Sequence, residues 1–323
     1  MQTDAQRHGK LGVRSSSILL LTALIWGMAF VAQRVGMDFI GPFLFMGIRM
    51  VLGAATLLLV LLFQGIFGRG RASTAPSPDG LVREMGNKRL VKAGIICGFV
   101  LFFGGALQQV GLVYTTASKA GFLTALYIVL VPIFGIVLKH KTHWNTWISV
   151  VIAVVGLYFL CITGSFSIAV GDLFMLMGAF FWAAHILVID HFVVGLTQRD
   201  VMRLCIGQFA VAAALGLGFS LIFDTHFVNG VFNASEFIAA LPSLLYVGIL
   251  STGIAFTLQA VGQQGVSPSA ASIIMSMEAV FSVLGGMLIL HEVLTSQELL
   301  GCILMFAAVI LSQLPIGSAK QVT

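Results

Sequence analysis

Arg49, His185, Gln208 and Glu278 each lie inside a long apolar run, and they are the side chains with chemistry to offer there. A charge or strong dipole is costly to hold in apolar surroundings, so each is a functional candidate. Arg49 can bind an anionic group such as a carboxylate, or it can fix packing by donating to backbone carbonyls. Glu278 can take up and release a proton, or it can hydrogen-bond to a neighbouring helix. A salt bridge between the two would leave neither charge free. His185 can act as an acid or base near neutral pH, or it can be hydrogen-bonded packing. Gln208 is the rough counterpart of Arg49 in the second half of the chain.

Around these stand neutral groups that can shape a binding cavity. Gln108 and Gln259 both donate and accept, although helix–helix hydrogen bonding produces the same pattern. Trp26, Tyr114, Tyr127, Trp182 and Tyr246 can wall a cavity, with Tyr114 and Tyr246 equally suited to interfacial packing. Trp144 and Trp147 open an apolar run and read as an interfacial belt. The pairs Gly104-Gly105, Gly285-Gly286 and Gly216/Gly218 let helices approach closely or bend.

Enzyme signatures are absent. The chain has no Gly-x-x-x-x-Gly-Lys-Ser/Thr loop, no His-Glu-x-x-His and no Gly-x-Ser-x-Gly. Cys97, Cys161, Cys205 and Cys302 lie in apolar runs without metal-ligand spacing and read as small core residues. His140-Lys141-Thr142-His143 reads as a basic boundary cluster. No cofactor and no metal site are expected.

Composition says what must position these groups. The 323 residues are 59% hydrophobic and 9% charged, with a mean hydropathy of +1.04. Soluble domains carry about 25% charged residues, so the chain reads as an integral membrane protein. The +5 charge does not point to nucleic acid, because the basic residues sit at the ends of apolar runs.

After a polar, basic segment 1–14, the run from Ser15 to Val35 is long enough to cross a bilayer and too long for a signal peptide. Nine further spans are expected at 41–63, 91–113, 119–138, 144–162, 170–189, 201–222, 237–262, 268–290 and 296–314. Gly41-Pro42 opens span two. Ser267-Pro268 opens span nine as cap and first-turn proline, and Thr295 with Glu298 forms a capping box before span ten. The runs are too long and too unalternating for barrel strands, so the expected class is all-α. The polar loop 64–90 is expected to be flexible through Ala72–Gly80.

Lys and Arg set the orientation. With the N-terminus inside, the inner segments hold Arg7, Lys10, Arg14, Arg69, Arg71, Arg83, Lys88, Arg89, Lys139, Lys141, Arg199 and Lys320; Lys119 is the main outer exception, with Arg34 near the outer end of span one. This predicts cytoplasmic N- and C-termini, the latter at 315–323.

The stretch Leu107–Leu160 returns as Leu258–Leu311 without a gap. Gln108 falls on Gln259, Gly111 on Gly262, Ser118 on Ser269, Tyr127 on Glu278, Gly135 on Gly286 and His140 on His291. Trp26 and Trp182 occupy similar places in LLTALIWGMAF and MLMGAFFWAAH. Repeats 15–162 and 163–314 thus hold five spans each, and an odd number inverts the second relative to the first. Such a pair has a pseudo-two-fold axis in the membrane plane, suited to opening a central site to either side in turn.

With its early Trp26-Gly27, its inverted ten-span repeat and EAVFSVLGGMLILHEVLTSQELLG at 278–301, the chain resembles the drug/metabolite transporter superfamily in its EamA-type branch. Glu278, Glu292 and Gly301 match the closing signature; Ala279 stands where proline is usual and His291 where glycine is usual. The first copy departs further, with Lys141 and Val150 at the Glu292 and Gly301 positions. The resemblance implies a secondary transporter of a small molecule, amino acid-like or drug-like, in the inner membrane, and export as the direction. Uptake or exchange by the same fold, or a non-transporting sensor or intramembrane enzyme, are the alternatives. The expected partners are the substrate, the bilayer and a coupling proton, with the chain a monomer or homodimer. The cavity candidates are Trp26, Arg49, Gln108, Tyr127, Trp182, His185, Gln208, Gln259 and Glu278, the last also for proton coupling.

Overall fold

The computed structural model describes residues 4–67, 86–115, 117–138, 144–161, 169–226, 233–290 and 295–314. The predicted flexible stretch Ala72–Gly80, the cluster His140–His143, the residues His291 and Glu292, and the tail 315–323 lie outside them. Every span is helical. Seven run unbroken: Asp4–Gly36, Pro42–Phe67, Asn87–Tyr114, Trp144–Cys161, Val170–Val193, Gln198–Phe223 and Ser296–Gln313 are spans one, two, three, five, six, seven and ten. Eight helical segments are long and apolar enough to cross a bilayer; the segments of spans five and nine, Trp144–Leu160 and Pro268–Leu284, are shorter. Large apolar side chains such as Leu21, Val51, Leu62, Phe99, Val151 and Ile303 face outward, as they must where lipid replaces water.

Three spans depart from continuous α-helix. Span four is Ala117–Ala125 followed by Tyr127–Val137, and span nine is Pro268–Met275 followed by Glu278–Leu290. The two breaks fall at the same repeat position. The Leu126 N–H reaches back three residues to the Leu123 carbonyl (3.3 Å), and its counterpart Met277 reaches Ile274 in the same way (3.2 Å). In span nine the Ser276 hydroxyl also back-bonds to the Ile273 carbonyl (2.7 Å), a bond that bends helices. Span eight runs Ala234–Leu245, then a π-helical stretch Tyr246–Ala255, then Phe256–Gly262.

The packing has the two-fold logic of the repeat. Span one packs on spans eight and nine as span six packs on three and four; span two packs on eight as span seven packs on three. Spans two and seven face each other, as do five and ten. Glycine enables a close contact beside the cavity: a Cβ on Gly27 would lie 2.6 Å from the Glu278 carbonyl oxygen and 2.7 Å from Phe281 Cβ. That is why glycine follows Trp26. Of the pair Gly216/Gly218, Gly216 meets the Gly47 backbone, whereas Gly218 faces open space.

The helix starts follow the local signals. Ser267 caps span nine through the Ala270 N–H (3.3 Å), with Pro268 in the first turn. Thr295 and Glu298 form the reciprocal capping box. Span two is capped from elsewhere: the Asp224 carboxylate, at the end of span seven, accepts the Phe43 (3.1 Å) and Leu44 (2.7 Å) N–H groups. A Cβ at Gly41 would overlap that carboxylate.

Candidate functional site

Trp26, Phe30 and Gln33 recur at helical spacing along one face of span one, and this face borders a cavity of about 50 Å3. Arg49 enters from span two, Gln108 from span three, Trp182 and Ile186 from span six. Ser251, Phe256 and Gln259 come from span eight. The two broken helices contribute residues beside their breaks, Thr124 and Tyr127 from span four and Met275 and Glu278 from span nine.

The lining obeys the repeat. Gln108/Gln259, Thr124/Met275 and Tyr127/Glu278 are pairs at the separation of the long repeat; Trp26/Trp182 and Phe30/Ile186 are pairs at that of the tryptophans. Ten of the fourteen lining residues therefore come in related pairs. The pseudo-two-fold axis runs through the cavity, and the exchanges within pairs make its two walls chemically different.

One wall is a connected chain that joins the repeats, with Gln33, Arg49 and Gln108 from the first and Trp182 from the second. Trp182 Nε1 donates to Gln108 Oε1 (2.8 Å), Gln108 Nε2 donates to Gln33 Oε1 (3.3 Å), and Arg49 Nη1 donates to the same oxygen (3.0 Å). Gln33 is held in turn by donating to the Ala29 carbonyl (3.2 Å). Arg49 is 3% exposed, and its Nε has no partner among the described residues. A Cβ at Gly105 would stand 2.9 Å from Arg49 Nη2, so the glycine makes room for the guanidinium. On the other wall, the Tyr127 hydroxyl donates to Glu278 Oε1 (3.2 Å), and Glu278 is 4% exposed.

Arg49 and Glu278 do not form the salt bridge weighed above: no Arg49 nitrogen lies within 4.0 Å of a Glu278 oxygen. Two buried ionisable groups thus border one cavity without pairing with each other. Removing a charge from water costs several kcal/mol, about as much as good pairing returns. Ionisable side chains inside membrane spans are functional candidates by default.

Of the nine cavity candidates, Trp26, Arg49, Gln108, Tyr127, Trp182, Gln259 and Glu278 line the cavity. His185 and Gln208 do not. They bond to each other, His185 Nε2 to Gln208 Oε1 at 2.9 Å, behind Trp182 and Phe256, whose rings lie 6.0 and 5.9 Å from the imidazole. Tyr246 donates to the Ile25 carbonyl (3.0 Å), tying span eight to span one, and Tyr114 is half exposed. Neither lines the cavity.

The reading from sequence missed Phe30, Gln33, Thr124, Ile186, Ser251, Phe256 and Met275. Gln33 had a signal, being polar and two turns beyond Trp26 on the same face. Thr124 and Met275 stand three residues before the Tyr127/Glu278 pair and share its face. Ser251 contributes its carbonyl, to which Trp26 Nε1 donates (3.1 Å), and no side-chain pattern announces a backbone group.

Comparison with known proteins agrees with this architecture. The model of the EamA-like transporter family matches the chain twice, over residues 14–162 and 169–314. An uncharacterized transporter of Archaeoglobus fulgidus is 31% identical over 297 residues, which cover 92% of this chain and 84% of the relative. The uncharacterized transporter YoaV of Bacillus subtilis is 26% identical over 314 residues, covering 94% and 97%. One solved crystal structure superposes with a TM-score of 0.71 at 17% identity, covering 93% of this chain and 96% of that one, a likeness of fold.

Proposed function

Because the chain belongs to the EamA-like transporter family, we propose that it is a secondary active transporter that exports a small metabolite, amino acid-like or drug-like, across the inner membrane by alternating access. The observation that carries this reading is the cavity on the repeat axis, where buried Arg49 and Glu278 stand unpaired with each other. The wall of Gln33, Arg49 and Gln108 offers donors, since the acceptors of Gln33 and Gln108 are already engaged. Arg49 binds the anionic end of the solute, and the tryptophans and Phe256 hold its apolar body.

A cavity of about 50 Å3 holds a few water molecules, whereas ligand sites enclose roughly 300–1,000 Å3. The walls must therefore part to admit a solute. The broken spans four and nine are the natural hinges, because their breaks lie on the cavity and no backbone ladder crosses them intact. Glu278, bonded to its repeat partner Tyr127 beside the breaks, is the group that exchanges the coupling proton as Tyr127 leaves or returns. The lysine and arginine distribution supports cytoplasmic N- and C-termini, and the carrier works as a monomer or homodimer.

The test is flux in proteoliposomes of fixed sidedness, with an imposed pH gradient and a panel of amino acids and amines. Arg49→Ala should abolish uptake of anionic-ended solutes, and Glu278→Gln should remove the response to the gradient. Undiminished flux in both variants would show that the cavity is not the transport site. Flux only from the opposite side would reassign the direction to uptake.

A further inference from the structure

Gln108 and Gln259 occupy one repeat position and border one cavity, yet only the first is engaged. Trp182 Nε1 donates to Gln108 Oε1. The equivalent tryptophan, Trp26, does not reach Gln259. It donates instead to the Ser251 carbonyl, within the π-helical stretch Tyr246–Ala255. Wide π turns shift the register of a helix and loosen its carbonyls, and they gather at functional sites. The matching part of span three is α-helical throughout. The π stretch has therefore drawn the tryptophan N–H away, and Gln259 Oε1 is left buried with no partner among the described residues.

A buried acceptor without a donor is costly, and a native structure that keeps one usually supplies the donor from elsewhere. The surroundings say what kind. Tyr127 occupies Oε1 of Glu278, and no described residue donates to Oε2. Gln259 and Glu278, each with an acceptor that no described residue fills, thus line the same cavity. Trp26 and Trp182 flank Phe256, with ring centroids 4.9 and 5.9 Å from it, and offer the aromatic faces that attract a cation. Arg49, which lines the same cavity, offers a guanidinium that suits the opposite charge.

We propose that Gln259 Oε1 accepts an N–H from a protonated amine of the transported solute, beside Glu278, and so determines specificity for ammonium-bearing zwitterions. The assignment rests on the cavity being the transport site. Binding to the purified full chain is measured with three probes that share one ring: phenylalanine, phenethylamine and 3-phenylpropionate. Gln259→Leu should weaken phenylalanine and phenethylamine roughly 10- to 100-fold, as expected for one hydrogen bond to a charged group, and leave 3-phenylpropionate unchanged. Gln259→Glu, which keeps an acceptor, should restore both. Because Gln259→Leu removes an unpaired buried polar atom, ligand-free thermal stability should hold or rise. An equal loss for all three probes, or no binding of either amine to the wild type, would overturn the assignment. Binding of 3-phenylpropionate alone, lost in Arg49→Ala, would still leave the cavity as the transport site.

Discussion

Replacing Gly27 by alanine tests whether span one must touch span nine at the cavity. The new Cβ would stand 2.6 Å from the Glu278 carbonyl oxygen, 2.7 Å from Phe281 Cβ and 2.8 Å from the Ser282 nitrogen. Ordinary contact begins at 3.4 Å, so the helices must separate by about 0.8 Å. Two of the three neighbours are backbone atoms and cannot rotate aside. Overpacking of this kind costs about 1–3 kcal/mol, against a gain of at most about 1 kcal/mol in helix propensity. The control is Gly218→Ala, where the added carbon meets nothing within 4 Å and only the propensity gain applies. Thermal unfolding of the purified variants should show Gly27→Ala less stable than wild type by up to about 2 kcal/mol and Gly218→Ala no less stable. Flux should fall further in Gly27→Ala than its stability loss explains, because the displaced backbone is that of Glu278. If the two variants unfold alike and Gly27→Ala transports normally, the close contact does not position the cavity wall, and the reasoning fails.

Gly105→Ala should act differently, because its Cβ would meet the flexible ends of Met46 and Arg49; binding of 3-phenylpropionate should weaken while thermal stability stays within about 1 kcal/mol. At the cap of span two, burial pushes the Asp224 carboxyl above its ordinary value of 3.8, against the opposing pull of hydrogen bonds from Ser220, Phe43 and Leu44. A raised carboxyl contributes stability that is complete below the unfolded value and is lost as pH rises through the folded one. The stability advantage of wild type over Asp224→Asn, read by thermal unfolding from pH 4 to 7, should therefore shrink as pH rises; a widening gap would mean that the ionised cap outweighs its burial. Thr295→Ala removes the hydroxyl that accepts the Glu298 N–H and leaves the Thr295 N–H on the Glu298 carboxylate; it should cost about 1 kcal/mol, seen as faster hydrogen exchange at the start of span ten.

Much of this protein was legible without coordinates, and the legible part has a common cause. Apolar runs of bilayer length have one way to satisfy their backbone, so ten helices followed from hydropathy. The gapless match of Leu107–Leu160 with Leu258–Leu311 gave the inverted halves, because an odd number of spans leaves no other arrangement. Local caps at Ser267 and Thr295 were readable since their partners lie three residues away. Seven of the nine cavity candidates line the cavity because polar groups in apolar helices turn toward one another.

Tertiary structure decided what depends on partners distant in sequence. Neither Leu126 nor Met277 is a glycine or proline, so the matched breaks of spans four and nine come from packing across the axis, with Tyr127 and Glu278 meeting there. His185 and Gln208 bonded to each other and left the cavity. Arg49 took Gln33 in place of Glu278. Asp224, far from span two in sequence, capped it. The π stretch of span eight diverted Trp26 and left Gln259 open. Hydropathy and repeat read each helix by itself and give its length, direction and faces. Which of several polar groups on those faces pair is a competition settled by sub-ångström approach of helices, and that exists only once they are assembled.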